Sequence, residues 1–173
     1  MDRILVATDG SDHADRAVDL AGALAGRFGA ELIVLHVVPR TALTPGEREL
    51  IETEYAHELA SRMHRRDPTL DPRLTPASFL DREADITEDL RGIVGARLIE
   101  AAEERAGKAG ATRVRGLIAH GDPARIILQT AEGEQADAIV VGSRGLGDWR
   151  ALLLGSVSHK VAQLASASVI TVR

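Results

Sequence analysis

Four short apolar runs, Ile4 to Ala7, Leu32 to Val38, Ala138 to Val141 and Val169 to Val172, are separated by stretches in which apolar residues recur at helical spacing. Runs this short and this apolar suit strands covered on both faces. Helices between them must carry the chain back across the sheet, so the strands run parallel, with right-handed crossovers and helices on both faces. This is an α/β chain.

The intervening stretches carry their own start and stop signals. After Thr8-Asp9-Gly10-Ser11, which reads as a turn and helix start, Ala17, Leu20, Ala21, Leu24 and Phe28 form a stripe that stops at Gly29. Thr44-Pro45-Gly46-Glu47 has the form of a capping box, and Ile51, Tyr55, Leu59 and Met63 lie behind it. Pro68, Pro72 and Pro76 then break any helix. A further helix starts near Asp85 and carries Ile86, Leu90, Ile93, Val94, Leu98 and Ala101 as far as Gly107 to Gly110. In Arg113 to Ala119 arginines alternate with Val114 and Gly116, as in an edge strand with one wet face. Asp122-Pro123 opens a short helix, and Ser156 to Leu164 is another. The crossover from Pro39 to Gly110 is longer than one helix requires, which predicts one domain over 1–173 with a helical or loop insertion at about 41–84.

Composition removes several classes of function. With no cysteine there are no disulfides, thiolate metal sites or cysteine nucleophiles. A net charge of −5, from 21 basic and 26 acidic residues, argues against binding nucleic acid through its phosphates. The aromatics are Phe28, Tyr55, Phe79 and Trp149, too few for a base-stacking platform. No apolar run reaches the ~18 residues of a membrane span, and no basic-then-apolar leader is visible, so a cytoplasmic protein without membrane contact is expected.

The segment that carries chemistry is Val141-Gly142-Ser143-Arg144-Gly145, followed after nine residues by Gly155-Ser156-Val157. It joins a buried strand to a helix. Glycines there allow positive φ and close approach, so that successive N–H groups converge on phosphate oxygens. Ser156 stands at a helix N-terminus, where unpaired N–H groups and the helix dipole favour an anion. Read alone, the same glycines could serve tight turns and close packing. In an open parallel sheet ligands lie beyond the carboxyl ends of the strands where strand order reverses. If the first strand and the Ala138 strand are neighbours, Asp9 and Gly142 flank one crevice. Asp9 could then accept from an adenine amino group or a ribose hydroxyl, or it could simply shape the turn.

Ile4-Leu5-Val6-Ala7-Thr8-Asp9-Gly10-Ser11, the strand end Leu35-His36-Val37, Gly121-Asp122-Pro123 and the long glycine motif together resemble the universal stress protein family in its ATP-binding branch. The resemblance spans nearly all of the chain outside roughly 41–84. It implies an adenine nucleotide alpha hydrolase-like fold, with an open five-stranded parallel sheet in the order 3-2-1-4-5. It also implies a homodimer, built through the last strand, that binds ATP with magnesium. On this resemblance Ala7, Thr8 and Asp9 border the nucleoside, the Val37 backbone meets the adenine edge, and Val141 and Gly142 line the ribose. Gly145, Gly155, Ser156 and Val157 hold phosphates, with Ser143 and Arg144 in the loop. Magnesium is then held through the phosphates rather than by side chains. Many members have a proline before the last strand where this chain reads Ala165-Ser166-Ala167-Ser168, and Asp148 brings an acid into the loop.

Other motifs are missing. There is no Gly-x4-Gly-Lys-Ser/Thr, no Gly-x-Gly-x2-Gly after the first strand and no Gly-x-Ser-x-Gly. His57 and His64 are two helical turns apart, too far to share a metal. His36 ends a strand near the expected site, where a hydrogen-bonded structural role is the expected reading. The sequence therefore predicts an ATP-binding stress or signalling protein with slow or no turnover and no catalytic residue. A slow ATPase or adenylyl-transfer enzyme using the same crevice is one alternative, and a dimeric interaction module without nucleotide is the other.

Overall fold

A computed structural model describes residues 1–39, 83–145 and 155–173, with side chains from 91 onward in the helix that begins at Glu83. The expected helix behind Thr44, the proline-rich loop after Asp67 and almost all of the expected insertion at 41–84 lie outside the described residues, as do Gly147 and Asp148. The chain divides into two compact units, residues 1–40 with 95–173, and residues 41–94. All the described strands belong to the first.

In chain order the described elements are β1 (Arg3–Thr8), α1 (Asp12–Phe28), β2 (Glu31–Val38), α2 (Glu83–Lys108), β3 (Val114–His120), α3 (Pro123–Gly133), β4 (Ala138–Gly142), α4 (Ser156–Leu164) and β5 (Ser168–Val172). The five strands form one parallel sheet in the order β3-β2-β1-β4-β5. The edge character read from Arg113 and Arg115 is where it should be, since β3 is one rim and β5 the other. Among the described residues no helix is long and apolar enough to cross a membrane.

Alternation along the strands divides the core in two. Ile4 and Val6 of β1 and Leu32 and Val34 of β2 face α1 and the C-terminal part of α2, while Leu5, Ile33 and Leu35 face α3 and α4. Ile4, Leu5 and Val6 are wholly buried. Each such side chain contributes roughly 1.5–3 kcal/mol, against about 0–1 kcal/mol for an exposed ion pair such as Arg97–Glu100. Aliphatic burial in the central strands therefore outweighs the surface charges.

Local chemistry sets the helix ends. Ser11 caps α1 by accepting from the Ala14 amide, and Gly29 closes it in the left-handed region at φ 63°. Asp122 caps α3 by accepting from the Arg125 amide, with Pro123 just inside. Close packing of α1 on α2 needs small residues. A Cβ on Gly22 would lie 2.7 Å from the Ala106 carbonyl oxygen, whereas one on Gly107 would meet no atom of the described residues within 4 Å.

At the opposite end of the sheet from the strand C-termini, charge ties the strands together. Asp137 accepts from the amides of Asp2 and Arg3, which hold its carboxyl below its ordinary value of 3.8. Arg115 bridges Glu31 of β2 and Glu134 after α3, and its hydrogen bond lowers the pKa of Glu31.

Two outcomes are expected for stability. Gly22→Ala should lose about 1–3 kcal/mol to the backbone clash, more than the ~1 kcal/mol of helix propensity it gains, while Gly107→Ala should gain roughly 0.5–1 kcal/mol; urea midpoints give both signs. Because the carboxyl of Asp137 is depressed in the folded chain, its contribution is complete above 3.8 and is lost as pH falls through the lower folded value. The melting-temperature gap between the parent and Asp137→Asn should hold steady from neutral pH downward and close only in that acid window; a gap that closes nearer pH 6 contradicts the assignment.

Candidate functional site

From β1 the chain moves to β2 on one side, and β4 lies on the other, so strand order reverses between β1 and β4. The carboxyl ends of these strands diverge there, as parallel sheets require at such a point. They open a cavity of about 440 Å³. One wall is Ala7, Thr8 and Asp9 with Ala14, and the floor is Leu35, Val37, Pro123 and Ile127. The other wall comprises Val141, Gly142, Arg144 and Gly145 together with Gly155 to Ser158.

The first wall is a pinned turn. The Gly10 amide donates to Thr8 Oγ1 at 3.2 Å and the Ser11 amide to Asp9 Oδ1 at 3.0 Å. Gly10 takes φ 78°, which a side chain would resist. Besides capping α1, the Ser11 hydroxyl stands 3.4 Å from the Arg144 carbonyl, to which it donates. Asp9 thus has the turn-shaping role, and its Oδ2 also lies beside Gly145, 2.5 Å from where a Cβ would stand.

The glycines of the second wall depart from expectation in their mechanism. Gly142, Gly145 and Gly155 are absent from the left-handed region, which among the described glycines holds Gly10, Gly29, Gly110 and Gly121. Their use is close approach. A Cβ on Gly142 would lie 2.9 Å from the Ala14 nitrogen and the His13 carbonyl carbon, and one on Gly155 would lie 3.2 Å from the Ser143 carbonyl oxygen.

Ser143, expected in the site, sits behind it. It is 3% exposed and is not among the lining residues. Its amide donates to the Val172 carbonyl at 2.6 Å, and its carbonyl accepts from the Gly155 amide at 2.7 Å and the Ser158 hydroxyl at 3.1 Å. The Gly155 amide is therefore already engaged, contrary to its expected use toward a phosphate. The amides of Ser156 and Val157 differ. They open α4, Gly155 supplies no capping side chain, and they have no acceptor among the described residues. Two N–H groups without an acceptor among the described residues and the positive end of a helix dipole thus border the cavity, with Arg144 on the same wall and Ser156 exposed.

Ala7, Thr8, Asp9, Val37, Val141, Gly142, Arg144, Gly145, Gly155, Ser156 and Val157 all line this one cavity. Sequence reading missed Ala14, Leu35, Pro123, Ile127 and Ser158. Pro123 and Ile127 had a signal: the Asp122 cap starts α3 there, and a spacing of four puts both on one helix face. Ser158 had none, because its importance lies in two carbonyls, Ser143 and Gly155, that its hydroxyl reaches. Among the described residues no three His, Cys, Asp or Glu side chains are grouped so as to hold a metal.

The whole chain, residues 1–173, matches the Universal stress protein family. It is 33% identical over 171 residues to Universal stress protein YxiE of Bacillus subtilis, covering 99% of this chain and 98% of the relative. The protein belongs to the universal stress protein family. Among solved structures, UspA from Lactobacillus plantarum shares the fold, with a TM-score of 0.69 at 22% identity over 99% of this chain and 97% of that one. A universal stress protein crystallised in complex with cAMP is 26% identical, with a TM-score of 0.60, over 99% of this chain and 96% of that one.

The two wall glycines should respond differently to a methyl group. Gly142→Ala presses on the backbone of α1 and should cost about 1–3 kcal/mol. Among the described residues Gly145→Ala meets only the Oδ2 end of the Asp9 carboxylate, the far end of a side chain rather than backbone, so its urea midpoint should stay within about 0.5 kcal/mol of the parent. Equal losses in the two variants would show that the wall is not held as described.

Proposed function

We propose that this protein binds ATP in the cavity between β1 and β4, with magnesium carried on the phosphates, and acts as a nucleotide-dependent stress or signalling protein. One observation carries the reading: the Ser156 and Val157 amides at the start of α4, which have no acceptor among the described residues, border the same cavity as Arg144 and Asp9. Phosphate suits that end, where N–H groups, the helix dipole and a guanidinium all favour negative charge. The apolar floor of Leu35, Val37 and Ile127 suits the flat faces of a purine, and the backbone of Val37 offers it an edge. The related structure in complex with cAMP supports an adenine nucleotide as the ligand class.

Turnover is slow or absent on this reading. Among the described lining residues Asp9 is the one carboxylate, and its Oδ1 already accepts from the Ser11 amide; none is histidine or lysine. A site built this way offers binding without an evident base for phosphoryl transfer. The protein works in the cytoplasm as a homodimer through β5, whose half-exposed residues form a sheet rim that gains from pairing. Residues 41–84 form an insertion within one domain of the family.

Calorimetric titration with magnesium ATP tests the reading, alongside Ser156→Asp. The new carboxylate should leave the fold as stable or raise it by roughly 0.3–1 kcal/mol through the helix dipole, yet weaken ATP binding about tenfold or more by repelling phosphate. A parent that takes up no adenine nucleotide at millimolar concentration removes the proposal.

A further inference from the structure

We infer that His36, whose ring lies outside the cavity, is a positioning residue for the site, its Nδ1–H fixing the direction of the Thr8–Asp9 peptide. Its functional consequence rests on the cavity being the nucleotide site; the latch itself is independent of any ligand.

His36 stands opposite Thr8 in the β1–β2 register. Strand alternation turns it to the α1 and α2 side, as it does Leu32 and Val34, while its neighbours Leu35 and Val37 face the cavity. Its Nδ1 lies 2.9 Å from the Thr8 carbonyl oxygen. A carbonyl only accepts, so Nδ1 must carry the proton. Above the ring is Gly95 of α2, where a Cβ would stand 3.0 Å from Cδ2 and 3.6 Å from Nε2. The helix thus closes over the imidazole at a position where any side chain would press on it.

Thr8 is where this matters. Pairing of β1 with β4 ends at Ala7↔Val141, one residue earlier, so the Thr8–Asp9 peptide lies just past the end of that ladder. In a trans peptide the C=O and the following N–H point opposite ways, and no described peptide is cis. Drawing the Thr8 carbonyl toward His36 therefore turns the Asp9 amide away from β2, to the side where β4 and its glycine wall lie. The same peptide leads into the Asp9 carboxylate, which holds the Ser11 amide and lies against Gly145. One imidazole bond outside the cavity in this way sets its first wall.

Ring ¹⁵N spectra of the full chain test the proton's place directly: His36 should show a protonated Nδ1 at neutral pH, and an Nδ1 without its proton overturns the inference. Variants test the consequence. His36→Asn can place an amide nitrogen near the Nδ1 position, and His36→Gln reaches instead toward the Nε2 position. The Asn form should keep parental exchange of the Asp9 amide proton and bind magnesium ATP within about threefold of the parent. The Gln form should exchange that proton faster and bind roughly five- to tenfold more weakly, the scale of one neutral hydrogen bond. Equal behaviour of the Asn and Gln forms overturns the latch. Should the parent itself bind no nucleotide, the ¹⁵N pattern and the Asp9 exchange rates still decide it, while the proposed function fails separately.

Discussion

The first turn of α1 meets the C-terminal end of β4 with no space for a side chain between them, and the site depends on that approach. Gly142 allows it, with the backbone of His13 and Ala14 standing where its Cβ would be. The Ser11 hydroxyl, which caps the helix, reaches across to the Arg144 carbonyl and fastens the joint from the other side. Were α1 held further out by a methyl group, the two walls would part at the base. The residues that touch the cavity are therefore placed by a contact among backbones.

Much of the architecture could be read from the chain alone, for a physical reason. Central strands of a parallel sheet are buried on both faces, so β1, β2 and β4 appear as largely apolar runs, broken in β2 by His36, and Arg113 and Arg115 around the start of β3 betray a rim. Strand order could not be read from pattern, because all parallel strands look alike; the value 3-2-1-4-5 entered through family resemblance. The site residues divide likewise. Local motifs found Asp9, Gly142, Gly145 and Ser156, whose types are unusual for their positions. Leu35 and Ile127 look like any core residue, and only the opening between β1 and β4 exposes them to a cavity.

The glycine motif shows where residue type underdetermines mechanism. The sequence allowed positive φ, and the backbone took close approach instead at Gly142, Gly145 and Gly155. Type alone cannot separate the two, since both need the absence of Cβ. It also could not foresee that the amides of Ser143 and Gly155 are spent within the protein. That allocation depends on the Val172 carbonyl, which arrives from a different strand.

Val172 to Ser143, and Ser143 to Gly155, make a short relay of two backbone bonds. It begins at the last strand, on the rim of the sheet, and ends at the residue that precedes α4. The helix tip is thus tethered to the tail of the polypeptide, and bending of the rim strand cannot be absorbed locally. Displacement of β5 would pull the strand-exit segment with it and re-aim the amides that open α4, so the outermost strand and the innermost recess of the domain respond as one lever.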